Sequence, residues 1–168
     1  MKDKYVQYYV EGQDEKRLID ELKTNMQCIK TGKVQVFNVI QNQLGNMHVM
    51  QLKQGTLVVL VFDTDKPQTA ALKANIDFLK SCNRVSDVIC ITQVKNLEDE
   101  LLRSCNGIRQ IKDLLGSKSN KEYKADLIRI HNLTKKLEEK EFDISRFWAL
   151  QPEGSFSDIH NDADLIKI

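Results

Sequence analysis

Two aspartates one residue apart, Asp63-Thr64-Asp65, close an unbroken apolar run, Leu57-Val58-Val59-Leu60-Val61-Phe62. Paired carboxylates at the end of a strand suit a hard divalent cation such as Mg²⁺, which takes one or two carboxylates beside phosphate and water oxygens. Glu11-Gly12-Gln13-Asp14 follows the chain's first apolar stretch, and Asn96-Leu97-Glu98-Asp99-Glu100 supplies a third acidic group. A carboxylate beside such a pair, its pKa raised by like charges, can act as general acid or base. This combination points to metal-assisted phosphoryl transfer, in which the cation stabilises the attacking or leaving oxygen. A competing structural reading exists for each motif. Asp63 and Asp65 could end a strand and cap a helix beginning near Pro67. Glu98, Asp99 and above all Glu100 could complement a helix dipole.

The elements around these acids read as alternating strands and helices. Tyr-Val-Gln-Tyr-Tyr-Val at residues 5–10 is a strand ending at Glu11-Gly12, where Gly12 allows a turn and Asp14 caps the next helix. Leu18, Ile19, Leu22 and Met26 recur at helical spacing, with Asp14, Glu15, Asp20 and Glu21 on other faces. Residues 33–40 alternate as a second strand, and 41–54 form a polar loop or a short helix around 47–52. The apolar run at 57–62 reads as a strand buried on both faces. A helix over 68–82 and a strand at 87–92 follow. Convergence of Asp63 and Asp65 requires a turn at Thr64, because strand alternation would point them apart. Helix-length crossovers predict a four-stranded, mainly parallel α/β sheet with its acids at the carboxyl edge. Beyond it, Asn96 caps a helix, and helical character continues to about Glu141 with a break at 116–120.

Composition narrows the class. The 168 residues suffice for one core with an appended piece: residues 1–105 as the α/β unit, 106–168 as a helical extension and tail packed on it. A net charge of +1 confines any nucleic-acid surface to a local patch. Residues 103–140 carry ten Lys/Arg against five Asp/Glu, whereas 141–168 carry two against six. The basic stretch, with Lys121, Lys124 and Arg129, could hold a phosphate backbone, or be a solvated helical face. Phe142, Ile144, Phe147, Trp148 and Leu150 are expected to pin the last segment by packing. His160, Asp162 and Asp164 lie in a tail expected to fray. Cys28, Cys82, Cys90 and Cys105 show no metal or CxxC spacing, which predicts a reducing cytoplasm. Met1-Lys2-Asp3-Lys4 leads into a strand rather than a secretory leader, and no apolar run reaches membrane-spanning length.

Tyr9-Val10-Glu11-Gly12-Gln13-Asp14-Glu15 followed by Val61-Phe62-Asp63-Thr64-Asp65 resembles the Toprim superfamily. Its members include topoisomerases, bacterial-type primases, small RNA-maturation nucleases and phage-defence nucleases of the overcoming-lysogenization-defect type. The resemblance lies in short motifs and spans roughly residues 5–105. It implies a compact Rossmann-like fold, with Glu11 as acid/base or metal ligand and Asp63 and Asp65 as ligands for Mg²⁺ or Mn²⁺. Glu98 resembles an additional carboxylate of the nuclease branch, and Lys121 and Lys124 are candidates for that branch's downstream lysine. The loop at 41–54 lacks a primase-like Gly/Pro pattern, and there is neither a zinc module nor room for a topoisomerase tyrosine domain. The expected function is therefore a small nuclease acting on nucleic acid, DNA in preference to RNA. It could work in phage defence with an ATPase partner. No GxxxxGK[ST] occurs in this chain, so that partner would be a separate protein. Two other readings stand beside it: a Toprim-like subunit that binds nucleic acid without cutting it, and a haloacid-dehalogenase-like phosphatase using Asp63 as nucleophile. The phosphatase leaves Glu11-Gly12 unexplained.

Overall fold

A computed structural model describes residues 5–168; the leader-free reading of Met1 to Lys4 falls outside them. The chain forms an α/β fold around four parallel strands in the order β2-β1-β3-β4: β1 (Tyr5–Val10), β2 (Lys33–Val36), β3 (Thr56–Asp63) and β4 (Val85–Gln93). Helix α1 (Gln13–Thr24) connects β1 to β2. A loop bearing the short α2 (Asn46–Met50) leads to β3, and α3 (Ala70–Lys80) leads to β4. Alternation divides each strand between two cores. Leu57, Val59 and Val61 face one side with α1 residues Leu18, Ile19 and Leu22; Val58, Leu60 and Phe62 face the other with Leu72 and Leu79 of α3. Helices thus cover both faces, as a parallel sheet requires.

The strand order has a functional consequence. From β1 the chain steps outward to β2, and from β3 it steps the opposite way to β4, while β1 and β3 lie side by side. The reversal creates a crevice at the carboxyl ends of β1 and β3, the usual ligand position in a doubly wound sheet. Glu11 and Asp63 stand at those two ends.

Several expectations are corrected. β2 stops at Val36 instead of running to Ile40, because the Asn38 side chain accepts the backbone N–H groups of Ile40 and Gln41 and turns the chain. The helical region after β4 is broken more often than at 116–120. It comprises α4 (Leu97–Ser104), α5 (Lys112–Leu115), α6 (Tyr123–Arg129) and α7 (Leu133–Glu139). These helices share the first core with the sheet through Leu101, Leu114, Tyr123, Leu127, Leu133 and Leu137. Nor does the tail fray. Phe156, Ala163 and Ile166 are buried, Asp162 N–H donates to the Cys90 carbonyl (2.8 Å), and Lys30 N–H donates to the Ile166 carbonyl (2.8 Å). His160 pairs with Asp162, and Asp164 with Lys167, so the tail's acids engage their neighbours. Among the described residues no helix is long and apolar enough to cross a membrane.

Close packing at the far end of the sheet is set by Gly32. A Cβ there would lie 2.5 Å from the Val6 carbonyl oxygen and 2.8 Å from the Val6 Cβ, so β1 or β2 would have to move. Gly32→Ala is expected to destabilise the fold by about 1–3 kcal/mol. A lowered urea midpoint with an unchanged slope would show it.

Candidate functional site

Alternation places Asp63 on the same face as Val59 and Val61, toward α1, α4 and α6. Its backbone N–H donates to Glu11 Oε1 at 3.1 Å, linking the ends of β3 and β1. The first turn of α1 adds Glu15. Single carboxylate oxygens of Glu11, Glu15 and Asp63 all lie within 4.8 Å of one another. Three carboxylates this close repel unless protons or a cation separate them. Burial, reinforced by the neighbouring Asp14, pushes Glu15 up to about 9. Burial and then the Glu11 charge push Asp63 up to about 8, against the opposing hydrogen bond from Gln93. Glu11 is raised too, by burial and by Asp65 and Asp14, with the Asp63 N–H working against them.

Glu15 of this cluster and its neighbour Asp14 escaped the sequence reading. Asp14 and Glu15 were expected on an outward face, yet both are buried, and Asp14 Oδ2 and Glu15 Oε2 have no hydrogen-bond partner. Asp14 does not cap α1. Gly12 occupies the cap position in extended backbone (φ −148°), and Asp14 is the second helical residue. Gly12 is needed for space rather than for its backbone angles: a Cβ there would meet Asp14 Oδ1 at 2.9 Å and Glu15 Oε2 at 3.1 Å. The signal was the Glu11-x-x-x-Glu15 spacing, which carries one acid at the strand end and the other a helical turn later. Because the crowded atoms are the tips of side chains, Gly12→Ala should leave stability within about 0.5 kcal/mol. If the three carboxylates hold a divalent cation, the displaced side chains should weaken its binding by about ten-fold. Calorimetric titration with Mn²⁺ beside a melting curve would read both.

The other predicted residues take distinct places. Asp65 is exposed and outside the tight group, but it lines a cavity of about 130 Å³ with Glu11, Asp63, Asn38, Gln41 and Lys66. The chain bends at Asp65-Lys66 rather than turning at Thr64, whose N–H donates to the carbonyls of Gln93 (3.1 Å) and Lys95 (2.8 Å) at the end of β4. Asn96 caps α4 by accepting the Asp99 N–H at 2.9 Å, which brings Glu98 to the opposite flank. Lys124, in the first turn of α6, lies 3.7 Å from both Glu98 and Asp14. Burial lowers the Lys124 pKa, but Asp14 and then Glu98 more than offset it, so the net shift is upward. Lys121 is exposed, and Arg129 is exposed and paired with Asp126 at 2.9 Å. Neither contacts the acidic group among the described residues.

Glu100 departs furthest from expectation. Instead of decorating a helix start, it is fully buried and accepts the N–H groups of Trp148 (2.7 Å) and Val94 (3.1 Å), with Arg103 beside it. Trp148 is buried against Phe147, as its packing role required. Two larger cavities, about 410 and 540 Å³, lie toward the opposite end of the sheet around Thr31 and Gly32; no acidic side chain among the described residues lines either. A third, about 280 Å³, is lined by Leu115, Asp126, Arg129 and Ile130, and its one carboxylate is paired with Arg129. Compared with protein-family models, with curated proteins and with solved structures, the chain has no match in any of the three.

Proposed function

We propose that this chain is a Toprim-type, metal-dependent phosphodiesterase acting on nucleic acid, DNA in preference to RNA, by hydrolysis. One observation carries the reading: Glu11, Glu15 and Asp63 crowd their carboxylates within 4.8 Å at the crevice where the strand order reverses. The donor set fits a hard cation. All three ligands are oxygens, and the buried, unpartnered Glu15 Oε2 lacks a compensating positive group within hydrogen-bonding reach. Such a site accounts for what is otherwise an unfavourable arrangement.

Glu11, Glu15 and Asp63 would hold Mg²⁺ or Mn²⁺, with Asp65 at the open rim. A bound cation supplies Lewis-acid stabilisation of charge developing on phosphate oxygens. Asp65 and Glu11 line the cavity open to an incoming phosphate and are the groups available to take a proton from water. Lys124 balances Asp14 and Glu98 and offers a positive charge to the phosphate. Lys66 at the cavity wall, with Lys121 and Arg129 around α6, extends that charge along a nucleic-acid backbone. An ATPase partner belongs to this reading; these 168 residues carry no phosphate-binding GxxxxGK[ST].

The test is cleavage of supercoiled plasmid, single-stranded DNA and RNA with Mg²⁺ or Mn²⁺, comparing wild type with Asp63→Asn. Metal-dependent cutting confined to wild type supports the reading. Full cutting by Asp63→Asn overturns the site assignment. Nucleic-acid binding without cutting under any condition would replace it with the non-catalytic subunit.

A further inference from the structure

Behind Asp63 lies a buried chain of hydrogen bonds that neither metal ligation nor hydrolysis explains. Gln93 is the residue directly across β4 from Asp63, so their side chains leave the sheet on the same face. Its amide Nε2 donates to Asp63 Oδ1 at 2.7 Å, and its Oε1 accepts the Trp148 indole N–H at 3.3 Å. Gln93 has no exposed surface and Trp148 only 2%. Trp148 is held in turn: its backbone N–H donates to Glu100 at 2.7 Å, and its backbone carbonyl accepts the Asn161 amide at 3.0 Å. Its backbone is left-handed (φ 55°), a conformation unfavourable for a tryptophan and sustained by these contacts.

The chemistry of the chain runs in one direction. An indole N–H can only donate, whereas a carboxamide offers an acceptor at one end and donors at the other. Trp148 therefore requires the Gln93 oxygen to face it, which turns the Gln93 NH₂ toward Asp63. The reversed amide would set its NH₂ against the indole N–H and leave two donors opposed. With Oδ1 engaged, the plane of the Asp63 carboxylate is fixed, and Oδ2 remains for a ligand shared with Glu11 and Glu15.

We infer that Gln93 and Trp148 are positioning residues for the metal site: the Trp148 N–H orients the Gln93 amide, and the amide sets the presentation of the Asp63 carboxylate. This rests on the metal-site reading above. It also ties the segment after α7, eighty-five positions beyond Asp63, to a site at the opposite side of the sequence.

Mn²⁺ binding, followed by the loss of the free-ion electron paramagnetic resonance signal, provides the test in wild type, Gln93→Met, Trp148→Phe and the double variant. Melting curves accompany each. Gln93→Met keeps length without the amide, and Trp148→Phe keeps an aromatic ring without the N–H. The expected result is about ten-fold weaker binding for Gln93→Met, and a loss in the same direction for Trp148→Phe. The double variant should bind as Gln93→Met does, because the indole N–H has no amide left to orient. A purely structural role for Trp148 predicts instead that its cost adds in full to that of Gln93→Met, and that result would overturn the relay. Equal Mn²⁺ binding by all four proteins overturns the positioning role alone. No Mn²⁺ binding by wild type overturns the metal reading and this inference with it.

Discussion

Asp63→Asn should lower metal-dependent cleavage by roughly 10³-fold or more, while making the metal-free protein more stable at alkaline pH. Asparagine keeps an oxygen for the Gln93 amide and removes one charge from the cluster, so the two effects have a common origin. The sign follows from proton linkage. In the folded chain Asp63 and Glu15 retain their protons to about 8 and about 9, whereas carboxyls of an unfolded chain lose theirs near pH ~4. Between these limits the folded state binds more protons, so stability is fully present below the lower limit and is lost as pH rises through the upper one. Each such group contributes a slope of about 1.4 kcal/mol per pH unit. Urea midpoints measured with chelator at pH 5, 7 and 9 should therefore fall steadily for wild type. Asp63→Asn and Glu15→Gln should flatten the decline. Millimolar Mn²⁺ should restore wild type at pH 9 by binding the folded state, and should do little for Asp63→Asn. An equally steep decline in both variants would show that the crowded carboxylates are not its source.

Glu100→Ala should cost about 3–5 kcal/mol, the scale of breaking a buried charged network from one side. The side chain has no exposed surface and gathers the N–H groups of Val94 and Trp148 together with Arg103. Alanine would leave the backbone N–H groups of Val94 and Trp148 without their acceptor, while Arg103 keeps the Val94 carbonyl, and would release the strained backbone at Trp148. Glu100→Gln keeps an acceptor oxygen and should lose less than half as much. Trp148 is the chain's single tryptophan, so its fluorescence would report the loosening directly. A Glu100→Ala protein with the wild-type urea midpoint and emission would refute the anchoring role.

Where local patterning dominated, the sequence was legible. The continuous apolar run at 57–62 read as a strand covered on both faces, and the spacing of Leu18, Ile19 and Leu22 as one buried side of a helix; the structure has both. Asn96 capped its helix as its side-chain chemistry dictates. Legibility ended where a short-range competitor or a distant partner intervened. Asn38 bent β2 early by satisfying two backbone donors itself. The segment after β4 broke into four helices. Its apolar residues are spent on the sheet's first face, and no single straight helix could deliver all of them there. The tail's polar composition gave no hint that its backbone would dock on Cys90 and Lys30.

For the site, the sequence by itself placed four acids at the carboxyl edge and missed Glu15 among them. A parallel α/β pattern sends every strand end to the same side, which assigned Glu11, Asp63, Asp65 and Glu98 to it before any contact was known. Only the tertiary structure decided which carboxylates meet. Adjacency of β1 and β3 joined Glu11 to Asp63, and an immediate helix start after Gly12 folded Glu15 into their midst. Asp65 was left on the rim, and Lys124 was carried onto Asp14 and Glu98 across more than twenty residues of chain. Strand register put Gln93 opposite Asp63, and a docked C-terminal segment put Trp148 behind Gln93. The physical reason is range. Hydrophobic period and capping act over a few residues and are written locally, whereas the meeting of charges depends on strand order and packing that no local stretch contains.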